Sequence, residues 1–97
     1  MLFRSSYMPP SQSNQTPIHD LEQLGAALRD ARRALGLTQV DAAQLSGVSP
    51  RLWNETELGK RRQLGLDTVL RMLNTMGIDL VLTTRGGGLP AVHEAAL

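Results

Sequence analysis

Residues 37–62 constrain this chain more than any other stretch, because they are predicted to form two short helices joined by one tight turn. Thr38 is a favourable N-cap residue, and the carboxylate of Asp41 can accept a hydrogen bond from the backbone N–H of Thr38. This reciprocal capping predicts a first helix from Gln39 to about Ser46.

The turn and the second helix are marked by residues with special backbone properties. Gly47 allows the positive φ that a sharp turn between crossed helices requires. Ser49 is a second N-cap, and Pro50 follows at the first helical position, where its missing N–H costs nothing. The second helix is predicted to continue to about Glu57 and to stop before Gly59. This layout is typical of a helix-turn-helix.

The exposed face of the second helix indicates contact with DNA. If Leu45, Val48 and Trp53 face inward, the side chains at positions 50, 51, 54 and 55 face outward from the start and middle of this helix. Side chains at such positions reach base edges when the helix lies in the major groove. Among them, Arg51 suits a bidentate contact to guanine and Glu55 can accept from cytosine N4. The predicted base contacts are Pro50, Arg51, Asn54 and Glu55.

A second group of residues is suited to DNA phosphates. A basic run follows the second helix in a predicted loop, and the first helix begins with polar side chains beside free backbone N–H groups. The predicted phosphate contacts are Thr38, Gln39, Ser49, Lys60, Arg61 and Arg62. The formal net charge of the whole chain is only +1, so this prediction depends on the local clustering of basic side chains.

Length and composition exclude several other classes of protein. The 97 residues indicate one small domain with a modest core. The chain has no cysteine, and its two histidines stand alone, so we expect no metal and no cofactor. No nucleophile and base are paired in the sequence, and no Gly-rich phosphate loop precedes a helix, so an enzyme is not expected. No run approaches the roughly 18 apolar residues of a membrane span, and we expect a cytoplasmic protein.

Two further helices are predicted around the central pair. Asp20 begins the earlier one, whose apolar stripe comprises Leu21, Leu24, Leu28, Ala31 and Leu35. The later one covers 66–76, with an inner stripe of Leu66, Val69, Leu70, Leu73 and Met76. The predicted organisation is a disordered leader over 1–17, a helix-turn-helix domain over 18–77, a β-strand over 78–85 and a flexible tail over 86–97.

The period of the sequence changes after Gly77. Residues 78–84 alternate in polarity and are rich in β-branched side chains, which predicts a strand. No convincing second strand is present in the sequence, so the same strand of another copy is the simplest partner. Two copies would then pair antiparallel, with an interface formed by Ile78, Leu80, Val81, Leu82 and Thr84. Alternatively, this segment packs on its own domain.

The amino-acid sequence of these motifs resembles that of a known family. The pattern GLTQxDxAxLSGVS followed by WxxxExGKR is similar to the lambda-repressor-like (xenobiotic-response-element, Cro) helix-turn-helix family. That resemblance implies an all-α domain of four to five helices. It also implies an ion pair between Arg32 and Glu57, which would connect the first helix to the end of the recognition helix.

The segment GLDTVLRMLNTMGIDLVL makes the resemblance more specific, because it points to one group within this family. Over residues 20–85 the chain looks like the HipB-type antitoxins and the related Y4mF-like regulators. That family implies a lid of intermolecular strands, a homodimer on palindromic operators of its own operon, and a HipA-type kinase toxin as partner. The chain departs from the family at Pro50, Ala42 and Thr56, and Trp53 and Leu52 are expected to fill the core instead.

The sequence is also compatible with two other functions. One is a free-standing transcription regulator with the same DNA chemistry and no toxin. The other is a helical adaptor that binds only proteins, because pairs of capped helices also occur in many small helical proteins.

Overall fold

The computed structural model describes residues 15–85, and this part of the chain contains four α-helices and no strand. Their bounds are Leu21–Ala34 for α1, Gln39–Ser46 for α2, Pro50–Glu57 for α3 and Leu66–Thr75 for α4. The prediction of an all-helical domain with a helix-turn-helix is confirmed. Most of the predicted leader and all of the predicted tail lie outside the described residues. None of the four helices is long and apolar enough to cross a membrane.

Side-chain caps set the starts of the first three helices. The Asp20 carboxylate accepts from the backbone of Gln23 at the start of α1. Thr38 and Asp41 form the predicted capping box at α2, and Ser49 accepts from the third residue of α3. Gly47 has a φ of 72°, which a residue with a Cβ adopts only at a cost, so the chain turns sharply between α2 and α3.

The core lies where α3 packs against α1 and α2 and where α4 packs against α2. Trp53 on α3, Leu28 on α1 and Met72 on α4 are each fully buried. Ala42 and Ala43 are also fully buried, and their small side chains allow α2 to lie close to its neighbours. Trp53 and Ala42 belong to the same buried apolar cluster, and Leu52 packs against it while partly buried.

Gly25 permits the closest approach between α1 and α3. A Cβ at this position would overlap the backbone carbonyl oxygen of Thr56 and would lie 2.9 Å from that of Glu57. Both obstructing atoms belong to the backbone at the end of α3, so they cannot rotate away. The absence of a side chain at Gly25 therefore sets the distance between the two helices.

Four leucines predicted to face inward are exposed. Leu45 is 63% exposed, because α2 turns Ala42, Ala43 and Ser46 toward the core and this leaves Leu45 on the opposite side. Leu35 lies one residue past the end of α1. In α4 positions 69, 72 and 73 are buried, as is Met76 just after the helix, and this leaves two predicted members of the inner stripe in contact with solvent. These two are Leu66 and Leu70.

Residues 78–83 form neither helix nor strand in the single chain. Ile78 packs on the core, and its backbone N–H donates to the Leu73 carbonyl over 2.9 Å. Beyond it the apolar side chains are exposed, at 48% for Leu80, 50% for Val81 and 75% for Leu82. A strand needs a neighbour for its ladder of hydrogen bonds, so the intermolecular strand stays a prediction.

Candidate nucleic-acid interface

A buried ion pair connects α1 to the end of α3. Arg32 Nε donates to Glu57 Oε2 at 2.5 Å and Arg32 Nη2 donates to Glu57 Oε1 at 3.0 Å. The two side chains are only 11% and 3% exposed. Arg32 Nη1 also donates to the carbonyl oxygen of Leu37 at 2.8 Å, just before α2. The guanidinium thus fixes three segments of the helix-turn-helix relative to one another.

The Glu57 carboxylate accepts from two further side chains. Trp53 Nε1 donates to Oε2 and Gln39 Nε2 donates to Oε1, the latter at 2.8 Å. Burial raises the pKa of Glu57, but the hydrogen bonds from Arg32, Gln39 and Trp53 and the positive charge of Arg32 outweigh it. The net effect lowers the pKa of Glu57, so the carboxylate is ionised at neutral pH and acts only as an acceptor.

Gln39 extends this network toward the outer face of α3. Its Oε1 accepts from Asn54 Nδ2 at 3.1 Å, so the start of α2 and the middle of α3 are joined by a pair of amides. The Gln39 side chain is therefore already bonded inside the protein. Its backbone N–H lies in the first turn of α2, where helical N–H groups have no intrahelical acceptor, and stays available for the predicted phosphate contact.

Three charged side chains form an array at the outer face of α3: Arg51 and Glu55 on the helix and Arg61 on the loop that follows it. Pro50 and Arg51 are exposed, whereas Asn54 and Glu55 are half-buried. Arg51 Nε donates to Glu55 Oε2 at 3.0 Å, and Arg61 Nη1 donates to Glu55 Oε1 at 3.3 Å. The hydrogen bond from Arg51, followed by that from Arg61, lowers the pKa of Glu55. Both carboxylate oxygens thus already accept from arginine.

The other residues predicted to contact DNA phosphates lie around this array. The hydroxyl oxygens of Thr38 and Ser49 accept cap hydrogen bonds, which leaves each O–H able to donate outward. Lys60 and Arg62 are exposed, and Arg61 is half-buried beside Glu55. Together with the start of α3, these side chains form a surface that we call the α3 face, comprising residues 38, 39, 49–51, 54, 55 and 60–62.

Sequence reasoning missed several of these contacts. Trp53 with Glu57 and Arg51 with Glu55 are each four residues apart on one helix, and this spacing was a usable signal. No local signal reveals the hydrogen bond from Arg71 Nε on α4 to the carbonyl oxygen of Ser46, at 2.8 Å. That bond satisfies a carbonyl at the end of α2, where helical C=O groups lack intrahelical donors.

Comparisons with known proteins agree with this arrangement. A family profile described as "Helix-turn-helix domain" matches residues 23–85. No curated protein sequence matches the chain. Among solved structures, the chain is similar to the restriction-modification controller protein C.AhdI from Aeromonas hydrophila, with 32% identity over 61% of this chain and 88% of that chain and a TM-score of 0.57.

It is also similar to the clp gene regulator ClgR from Corynebacterium glutamicum. One ClgR structure shares 31% identity over 68% of this chain and 85% of that chain, with a TM-score of 0.59. A second shares 33% identity over 64% and 66%, with a TM-score of 0.56. These neighbours are a controller protein and a gene regulator, and neither is named as an enzyme. The profile match covers most of the described residues, and the chain therefore belongs to the helix-turn-helix domain family.

Proposed function

We propose that this chain is a DNA-binding transcription regulator that reads operator DNA with α3. The observation that carries the proposal is the exposed start of α3, where Arg51 is joined through Glu55 to Arg61 of the basic loop at 60–62. The helix-turn-helix domain and the similarity to two regulators support it. Arg51 reads base edges from the major groove, and the polar and basic side chains around it hold phosphates.

Replacing the exposed Arg62 by alanine tests the role of the basic loop. We expect Arg62→Ala to weaken binding to all DNA sequences by a similar factor. It should also make the negative slope of the logarithm of the binding constant against the logarithm of the salt concentration shallower by about one. Fluorescence anisotropy on the protein's own upstream DNA at several salt concentrations measures both. Arg85→Ala is the matched control, because Arg85 is exposed but lies outside the α3 face. Absence of any salt-sensitive binding by the wild-type protein would favour a protein-only adaptor.

We further propose that the regulator acts as a homodimer joined through residues 78–84. Support comes from Leu80, Val81 and Leu82, which are exposed in the single chain although they are large and apolar. Antiparallel pairing of two such segments would cover these side chains and satisfy their backbone groups. Two α3 helices would then lie about 34 Å apart, or at a multiple of that spacing, on a palindromic operator.

Leu82→Asp is expected to convert a dimer into a monomer at micromolar concentration. The introduced carboxylate would be desolvated in the paired segment, whereas in the single chain the side chain is in water. Sedimentation equilibrium gives the mass directly. The control is Leu45→Asp, which changes another exposed leucine, on α2, and should leave the mass unchanged. A monomeric wild-type protein would contradict the proposed interface.

The resemblance to HipB-type antitoxins supports a more specific role. In this proposal the dimer represses its own operon and neutralises a HipA-type kinase toxin encoded beside it. Co-expression with the flanking genes, followed by purification of the complex, tests the partner. If no kinase is recovered and the protein still binds its upstream DNA, a free-standing regulator is the correct assignment.

A further inference from the structure

Glu55 lies between two arginines on the surface that faces DNA in the proposed function. Its side chain is 26% exposed, whereas that of Arg51 is 87% exposed. Each carboxylate oxygen accepts from a different arginine, Arg51 on one side and Arg61 on the other. Both oxygens of the carboxylate are therefore held by donors of this chain, and the two contacts restrict where the carboxylate can point.

The atom through which Arg51 is held decides what the rest of its guanidinium can do. The bond to Glu55 uses Nε, and within residues 15–85 no group accepts from Nη1 or Nη2. These two terminal nitrogens form a planar pair of donors that matches the O6 and N7 acceptors of guanine. A partner at Nε leaves this pair free while it restricts rotation of the side chain.

Arg61 completes the arrangement from outside the helix. It comes from the loop after α3, and its contact with Oε1 holds the Glu55 oxygen that Arg51 does not contact. A glutamate held only by an arginine four residues away on the same helix would be free to rotate with it. Two donors on different elements fix the carboxylate in one position.

We propose that Glu55 is a positioning residue that orients Arg51 for bidentate recognition of guanine and does not itself read a base. This inference rests on the proposed DNA-binding function and adds the role of Glu55 in how Arg51 meets the guanine. It also replaces the sequence-based expectation that Glu55 accepts from cytosine. The carboxylate has a second effect, because its negative charge repels phosphates and so weakens binding to DNA that lacks the guanine.

The test uses the full chain and a pool of randomised DNA duplexes long enough for two half-sites. Wild-type protein should enrich a guanine in each half-site, and Arg51→Ala should remove the preference at that base pair. Glu55→Gln should reduce the preference at the same base pair by between about threefold and tenfold. It should also raise the affinity for non-specific duplexes, since one negative charge is lost.

Two further variants make the outcome decisive. In the Arg51→Ala background, Glu55→Gln should cause no further change at that base pair. Asp67→Asn removes the same charge from the exposed first turn of α4, and it should leave base preference unchanged. A loss of preference at a different base pair in Glu55→Gln would show that Glu55 reads its own base, and unchanged preference would exclude any role; either result overturns the inference. If wild-type protein enriches no sequence at all, the proposed DNA-reading function fails instead.

Discussion

Glu57→Gln is expected to lower the free energy of unfolding by about 3–5 kcal/mol, a large part of the stability of so small a domain. The substitution keeps the shape of the side chain but leaves Arg32 buried without a counter-charge. It also places an amide N–H against donors from Arg32, Trp53 or Gln39, so at least one buried donor loses its acceptor. Urea denaturation followed by Trp53 fluorescence measures the change.

Glu22→Gln is the matched control for this prediction. Glu22 is exposed in the first turn of α1, and its replacement should cost less than about 1 kcal/mol. A cost of similar size in both variants would show that the buried pair contributes little to stability.

The same carboxylate makes stability depend on pH. Because the pKa of Glu57 is lowered in the folded protein, its contribution is present above the ordinary value of 4.5 and is lost as the pH falls through the folded pKa. The free energy of unfolding of the wild-type protein should therefore decline below about pH 4.5. The decline should be shallower in Glu57→Gln, which has no proton to take up at this position.

Gly25→Ala is expected to destabilise the domain by several kcal/mol, although alanine is the better helix former by about 1 kcal/mol. The added Cβ would overlap the carbonyl oxygen of Thr56, so α1 and α3 would have to move apart. That movement would also lengthen the hydrogen bonds between Arg32 and Glu57. Thermal and urea unfolding measure the loss.

Gly65→Ala provides the comparison. The nearest atom to a Cβ at Gly65 is the hydroxyl oxygen of Thr68 at 4.0 Å, and its backbone conformation is open to any residue. Its effect should stay within about 1 kcal/mol, because the penalty of losing a glycine N-cap is offset by a less flexible unfolded chain. Equal effects at the two glycines would refute the close approach of α1 and α3.

The local features of this fold could be predicted from the sequence, because they depend on neighbours in the chain. Thr38, Gly47 and Ser49 each act within a few residues, and the bounds of α2 and α3 follow from them. The inward or outward direction of Leu45 could not be predicted in the same way. It depends on which side of an eight-residue helix meets the core, and periodicity over two turns leaves that choice open.

Some features of the candidate site could likewise be predicted from the sequence, and others could not. Exposure of Pro50 and Arg51 follows from their place at the start of a capped helix. The hydrogen bond between Gln39 and Asn54 joins residues 15 positions apart, and that between Arg71 and Ser46 joins residues 25 apart. Such contacts depend on how the helices cross, and neither composition nor spacing contains that information.

The attachment of α3 to α1 has a consequence for genetics. An eight-residue helix does not hold its shape alone in water, so α3 keeps its form only while Gly25, Arg32 and Glu57 hold it in place. A search for mutants that no longer regulate transcription should therefore recover changes at these three positions as well as on the α3 face. The first group of mutants would have less protein in the cell, and the second would have normal amounts of a protein that binds DNA poorly.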